Sequence, residues 1–279
     1  MYTTFNQEAR GEMSGYHRSP SPIDMNRGFA KNQDIATIKG RNAKNLQFNS
    51  QGISSKFTIG FEIEKNRFSR GAVKEYALFK GFERDSSCGF EAITNILPLV
   101  APSKWRMNVF NMMAEAEKII DERYSPSDLR CGGHITLGSE EIRDGHELMR
   151  KLREYSGLMY AMFRFRLNNR YCWGNKRMED VGGGRYQVCL AKTGVVEFRL
   201  PNRVQSVREL MARYELCYLM MSYAHNGGTF ARFLKEAQPI ILRSYNGDQE
   251  KAEEITEMAK AFQKYINTGD IHPTIQRFV

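Results

Sequence analysis

The sequence predicts a single α+β domain, and two features of its 279 residues support that class. From position 57 onward, short segments with alternating apolar and polar residues are followed by longer segments with apolar residues at helical spacing. No internal repeat or long linker divides this part of the chain. We therefore predict one domain over residues 57–279, in which a sheet is combined with helices.

Two predicted strands carry charged residues opposite an apolar face. In residues 57–64 every odd-numbered position is apolar, so Glu62 and Glu64 project together from the other face. A later strand repeats this alternation and leaves Glu197 and Arg199 side by side. Strand faces of this composition are candidate functional sites, because carboxylates are poor strand formers and repel one another.

Two further predicted strands add an acid and an imidazole. Residues 88–95 carry Glu91 in the middle, and residues 131–138 place His134 and Thr136 on one face. Two glycines precede His134, and glycine permits the close backbone approach that a nucleotide or metal-bound substrate needs. A structural histidine is the alternative interpretation of this residue.

Helices are predicted where apolar residues recur at a spacing of three or four. Residues 103–124 and 139–165 have this pattern, with a serine at the start of each segment. Ser206 and Glu209 form a capping-box sequence before another helix, and residues 248–266 form the last.

The remaining composition limits the class of protein. Residues 1–56 are rich in Asn, Ser, Gly, Arg and Gln, which predicts an extended or weakly ordered arm. The sequence shows neither an apolar run of the ~20 residues that span a bilayer nor a secretory signal, so we expect a cytoplasmic protein. Five cysteines without a CxxC pair indicate reduced, buried thiols rather than disulfides or a zinc site.

The net charge of +9 suits either a nucleic acid or a polyanionic nucleotide such as ATP. The basic residues are scattered and no nucleic-acid-binding motif is recognised, so a nucleic-acid partner is not favoured, and a homo-oligomer stays open.

Four strand-borne glutamates require solvent, cationic partners or a metal ion. A solvated face with ion pairs is the alternative for any single glutamate. Taken together they favour a hard cation, Mg²⁺ or Mn²⁺, because these ions select oxygen ligands. The predicted metal ligands are Glu62, Glu64, Glu91 and Glu197.

Cationic residues near these strands are candidates for phosphate contacts. Arg199 forms either an ion pair with Glu197 or a clamp on a phosphoryl group, a function that suits a permanently charged guanidinium. Lys192 and Arg185, which follow the glycines at 182–184, are weaker candidates for facing phosphates. The glycine loop itself lacks P-loop or dinucleotide spacing.

Four segments in this order resemble the amidoligase branch of the carboxylate-amine ligase superfamily, whose relatives include glutamine synthetase and glutamate-cysteine ligase. They are Gly-Phe-Glu-Ile-Glu at 60–64, Asp-Ser-Ser-Cys-Gly-Phe-Glu-Ala-Ile-Thr at 85–94, Cys-Gly-Gly-His-Ile-Thr at 131–136 and Glu-Phe-Arg at 197–199. The likeness covers about residues 57–266. Ser86 and Thr136 depart from it, because they stand where the family has glycine and a second histidine.

The resemblance implies a curved, mainly antiparallel sheet that cradles ATP and Mg²⁺ or Mn²⁺, with helices on its other face. It further implies that a carboxylate is activated as an acyl phosphate and then attacked by an amine, on small-molecule or peptide substrates. In that scheme Glu62, Glu64, Glu91 and Glu197 bind metal, His134 contacts nucleotide or metal, and Arg199 clamps phosphate.

Two other functions fit the same residues. A metal-dependent nuclease would use the strand-borne acidic pair followed by Lys65. A non-catalytic nucleic-acid-binding or structural protein could retain the ligase fold without its activity. Consumption of ATP separates the ligase from both.

Overall fold

The computed structural model describes most of the predicted domain. The sequence-predicted arm, apart from Lys56, and the glycine loop with Arg185 lie outside the described residues. The described residues are 56–66, 78–85, 88–94, 96–120, 130–179, 186–192 and 194–279.

In this part of the chain, seven strands form one sheet with every pairing antiparallel. The order is β2-β3-β1-β5-β7-β6, and β4 pairs with one end of β1. The strands are β1 (Phe57–Lys65), β2 (Phe79–Asp85), β3 (Gly89–Thr94), β4 (Leu97–Pro98), β5 (Gly133–Ser139), β6 (Cys189–Lys192) and β7 (Val195–Phe198).

Helices follow and separate these strands, which confirms the predicted α+β class. No helix of the described residues combines the length and the apolarity needed to cross a membrane. The helices are α1 (Lys104–Glu115), α2 (Glu117–Ile120), α3 (Gly145–Arg153), α4 (Gly157–Phe163), α5 (Val207–Asn226), α6 (Phe230–Ser244) and α7 (Gln249–Thr268), with a 3-10 turn at Arg164–Arg166.

The apolar face of the sheet packs on the helices. Ile59, Phe61 and Ile63 alternate along β1 and are almost fully buried, as their spacing predicts. Helix α5 contacts β1, where the Phe57 ring lies 4.6 Å from the ring of His225. This burial fixes which side of the sheet the polar side chains of β1 project from, because a one-residue slip would exchange the two faces of the strand.

The single helix predicted over residues 139–165 is wrong. Ser139 is the last residue of β5, and Asp144 caps α3 instead, through a hydrogen bond from the N–H of His146. The chain then turns at residues 154–156 before α4. Gly157 begins α4, and a Cβ there would lie 2.5 Å from the carbonyl oxygen of Ala259 in α7.

A buried glutamine stabilises this interruption between α3 and α4. The Oε1 of Gln263 accepts a hydrogen bond from the N–H of Gly157 at 2.9 Å, and its Nε2 donates to the carbonyl of Arg153 at 2.9 Å. These backbone groups lie at the end of one helix and the start of the next, where helices leave such groups without internal partners. One side chain of α7 therefore satisfies both helix ends.

Other boundaries match the sequence patterns more closely. Ser206 caps α5 as predicted, but Glu209 accepts from the N–H of Gln205 rather than from that of Ser206. The helix predicted over 248–266 is present as α7. The helix predicted over 103–124 is interrupted at Ala116, and the described chain continues as the short α2 only to Ile120.

We expect Gln263→Ala to lower the free energy of unfolding by about 2–3 kcal/mol, since it removes the partner of two backbone groups in a buried region. Chemical denaturation monitored by circular dichroism measures this change. Gln249→Ala, at an exposed helical site, is the matched control and should stay within about 0.5 kcal/mol of wild type. Equal effects of the two substitutions would contradict the bridging role.

Candidate active site

Strand register gathers the predicted functional residues on one face of the sheet. Glu62 of β1 is directly opposite His134 of β5, and Glu64 is opposite Glu91 of β3. On the other side of β5, Thr136 is opposite Glu197 of β7. Residues distant in sequence therefore meet because four neighbouring strands present the same face.

Glu62, Glu91 and His134 form an acidic group. Each contributes a potential ligand atom, and these atoms all lie within 4.8 Å of one another. The Nδ1 of His134 is 2.8 Å from the Oε2 of Glu62, and the two carboxyl groups also share a hydrogen bond. A carboxyl–carboxylate contact requires a proton or another cation between the acids, so the group suits a cation-binding site.

The pKa of Glu62 is lowered well below its ordinary value. Burial acts in the opposite direction and is the largest single influence. It is outweighed by the hydrogen bond and charge of His134, the hydrogen bond with Glu91 and the positive charge of Lys192. Glu62 is therefore ionised at neutral pH and available as an anionic ligand.

The glycines before His134 make room for the protein's own groups. A Cβ on Gly132 would lie 2.5 Å from the Nε2 of His134, and a Cβ on Gly133 would collide with the carbonyl of Asn202. The predicted reason for these glycines, approach of a nucleotide or a metal-bound substrate, is thus not needed to explain them. They leave room for the imidazole at the start of β5.

His134 lies between two carboxylates rather than beside one. Its Nε2 is 3.4 Å from the Oε1 of Glu64, on the side away from Glu62. The Oε2 of Glu64 accepts a hydrogen bond from the N–H of Gly132 at 2.6 Å. Both glutamates therefore restrain the ring, and the ring in turn restrains their carboxylates.

Glu197 occupies a basic environment next to the acidic group. Its side chain is only 1% exposed and forms ion pairs with Lys192 of β6 and with Arg199, the latter at 2.6 Å from Nη1 to Oε1. A buried carboxylate requires such partners, because desolvation of an unpaired charge is costly. Two cations held by one buried anion leave a local excess of positive charge.

The structure thus divides the predicted set of four glutamates. Glu62 and Glu91 share one group with His134, whereas Glu64 forms a second group with the thiols of Cys88 and Cys131. The sequence predicts only a packing function for the two cysteines, because nothing in their spacing indicates that they meet.

The structure also pairs Glu197 with Lys192 and Arg199, as an ion-pair interpretation of Arg199 predicts. Arg185 lies outside the described residues, so its predicted phosphate contact stays a prediction.

Lys65 does not accompany the acidic pair that precedes it. It is fully buried, and its ammonium group donates a hydrogen bond to the carbonyl oxygen of Ile120 at 2.7 Å, at the end of α2. Alternation along β1 places it on the face opposite Glu62 and Glu64. The lysine is therefore a structural contact to a helix end.

Comparison with known proteins gives no family for this chain, so its function is inferred from the residues of the site. No protein-family model matches the chain, and no curated protein shows a significant match to it.

We expect Gly132→Ala to displace the His134 ring, since the new methyl group would overlap its Nε2. The ring carbon signals of His134 in a ¹H–¹³C NMR spectrum should shift, and the protein should lose about 1–3 kcal/mol of stability from overpacking. Gly60→Ala is the control, because a Cβ there meets no atom within 4 Å. Unchanged His134 signals in Gly132→Ala would contradict this arrangement.

Proposed function

We propose that the protein is an ATP-dependent carboxylate-amine ligase that uses Mg²⁺ or Mn²⁺. One observation carries the proposal: an acidic group and a basic group are adjacent on one face of an antiparallel sheet, and the charge of Lys192 reaches Glu62. A metal–nucleotide complex combines a cation with phosphates, so it needs both kinds of group at neighbouring positions.

The acidic group fits a hard cation. Glu62 and Glu91 offer carboxylate oxygens, the ligands that Mg²⁺ and Mn²⁺ prefer. A cation between the two acids would be stabilised by both carboxyl groups. His134 would orient Glu62 by its hydrogen bond, in the manner of groups that position metal ligands. A bound divalent ion would offset the negative charge of the ATP phosphates and of the substrate carboxylate.

The basic group fits the phosphates. Arg199 uses one guanidinium nitrogen to hold Glu197, which fixes its plane, and its side chain remains 15% exposed. Lys192 is 34% exposed and is held by the same carboxylate. In this proposal Arg199 and Lys192 bind phosphate oxygens and Glu197 is a positioning residue for both, rather than a metal ligand.

The proposed reaction has two steps. A substrate carboxylate oxygen bonds to the γ-phosphorus of ATP, the bond to the β,γ-bridging oxygen breaks, and ADP leaves. The amine nitrogen of the second substrate then bonds to the acyl carbon, phosphate leaves with the C–O bond electrons, and the nitrogen loses a proton. Residues that hold and neutralise phosphates suffice for this chemistry, and no protein nucleophile is needed.

Two observations favour the ligase over the alternatives. The nuclease interpretation relies on Lys65 beside Glu62 and Glu64, but that lysine contacts Ile120 on the opposite face. A non-catalytic protein has no need to bury Glu197 with two cations beside the acidic group. Turnover of ATP is the decisive measurement.

Mg²⁺ or Mn²⁺ should raise the melting temperature of the wild-type protein, because a ligand that binds only the folded state stabilises it by about 2.7 kcal/mol at 100 times its Kd. Glu62→Gln and Glu91→Gln should each reduce that gain. Glu117→Gln, an exposed helical substitution, is the control and should retain it. Thermal unfolding with and without each ion provides the measurement, and identical gains in all variants would exclude these ligands.

Arg199→Lys should lower ATP turnover by at least about 100-fold, the scale seen when a preorganised charge-stabilising contact is removed. Lysine retains the charge but loses the planar fork that binds two oxygens. The measurement is phosphate release with pooled carboxylates and amines. Arg243→Lys, in the exposed ion pair with Glu215, is the matched control and should leave turnover unchanged.

Outcomes of the turnover assay separate the candidate functions. Wild-type turnover in Arg199→Lys would overturn the phosphate-clamp assignment. Absence of ATP turnover in the wild type with every substrate pool, together with metal-dependent cleavage of an oligonucleotide, would support the nuclease instead.

A further inference from the structure

We propose that Cys88, Cys131 and Glu64 bind a second metal ion, of the thiolate-preferring class to which Zn²⁺ belongs. This site is separate from the Mg²⁺ or Mn²⁺ position and does not depend on the ligase proposal. One sulfur from each cysteine and one carboxylate oxygen lie within 4.8 Å of one another, and all three residues are at least 94% buried.

The spacing of the three atoms is close to that of a zinc site. Zinc–sulfur bonds of ~2.3 Å in a tetrahedral site put neighbouring ligand atoms ~3.8 Å apart. A group within 4.8 Å therefore needs to contract by at most about 1 Å, a change of the size that side-chain rotation produces. Three protein ligands leave a fourth position for a water molecule or for another group.

The chemistry of the ligands selects the metal. Two thiolates and a carboxylate suit Zn²⁺, whereas Mg²⁺ is bound by oxygen ligands alone. Metal binding would deprotonate both thiols and place a divalent charge beside the buried carboxylate of Glu64. That carboxylate is held by the N–H of Gly132 and points toward Nε2 of His134, so its position is already determined.

A metal ion explains the arrangement better than a disulfide bond. The five cysteines all lie in the described residues, and none is in a disulfide. Cys88 precedes β3 and Cys131 precedes β5, and these strands pair with opposite edges of β1. Glu64 lies on the strand between them and supplies a third ligand atom, which a disulfide bond would not use.

Such an ion would join the ends of three neighbouring strands. Those strands carry Glu91, Glu62 and His134, so the metal would act on the candidate active site as a structural clamp.

The test uses the reduced full-length protein, stripped of metal by a chelator and titrated with Zn²⁺ or Co²⁺. We expect one Zn²⁺ per chain by elemental analysis and a thiolate-to-cobalt charge-transfer band with Co²⁺. Cys88→Ser or Cys131→Ser should weaken Zn²⁺ binding by more than the ~10–100-fold caused by loss of a supporting residue. Cys217→Ser, at a buried thiol in α5 whose pKa is raised to about 12 by burial, is the matched control.

The cobalt band distinguishes the thiolate site from the acidic group. Glu62→Gln should retain the cobalt band, because the acidic group of Glu62, Glu91 and His134 contains no thiol. Absence of the band in fully reduced wild-type protein would overturn the proposal, as would a loss in Cys217→Ser equal to that in Cys88→Ser. Formation of a Cys88–Cys131 disulfide under mild oxidation, without any metal affinity of the reduced form, would overturn it too. Loss of ATP turnover in the other assays has no bearing on these results.

Discussion

The register between β1 and β5 is the constraint on which the polar face depends. Ile59, Phe61 and Ile63 are committed to the helix-facing side, so Glu62 and Glu64 must face the other way. The same register sets Glu62 against His134 and brings the imidazole between two carboxylates. Since a slip of one residue would turn both acids toward the helices and the three large apolar side chains toward the charged face, hydrophobic packing on one side fixes the geometry of the charges on the other.

Opposite charges are kept in separate but adjacent groups on this face. The acidic group lies at the β3-β1-β5 side, and Glu197 with its two cations lies at the β7-β6 side. Thr136 is the register partner of Glu197 across the β5-β7 boundary. A histidine in place of Thr136 would add a second imidazole near the basic group, so the threonine leaves the positive charge there to Lys192 and Arg199.

Alternation along single strands was sufficient to predict which side chains of β1, β5 and β7 share a face, because a period of two is a local property. The partition of the glutamates was not predictable, since it depends on which strands are neighbours. The meeting of Cys88 with Cys131 has the same cause. The prediction of a single helix over residues 139–165 was wrong for a different reason. The apolar spacing continues through residues 154–156, and only the contact of Gly157 with α7 shows why the chain turns there. Strands β2 and β4 and helix α6 were not predicted.

The side chain of Gln263 links segments that are far apart in the chain, and this has a consequence for the way the protein opens. Its two hydrogen bonds tie the end of α3 and the start of α4 to α7. Separation of α7 would expose the amide of Gly157 and the carbonyl of Arg153 in the same event. The three helices are therefore expected to exchange their amide hydrogens as one cooperative unit.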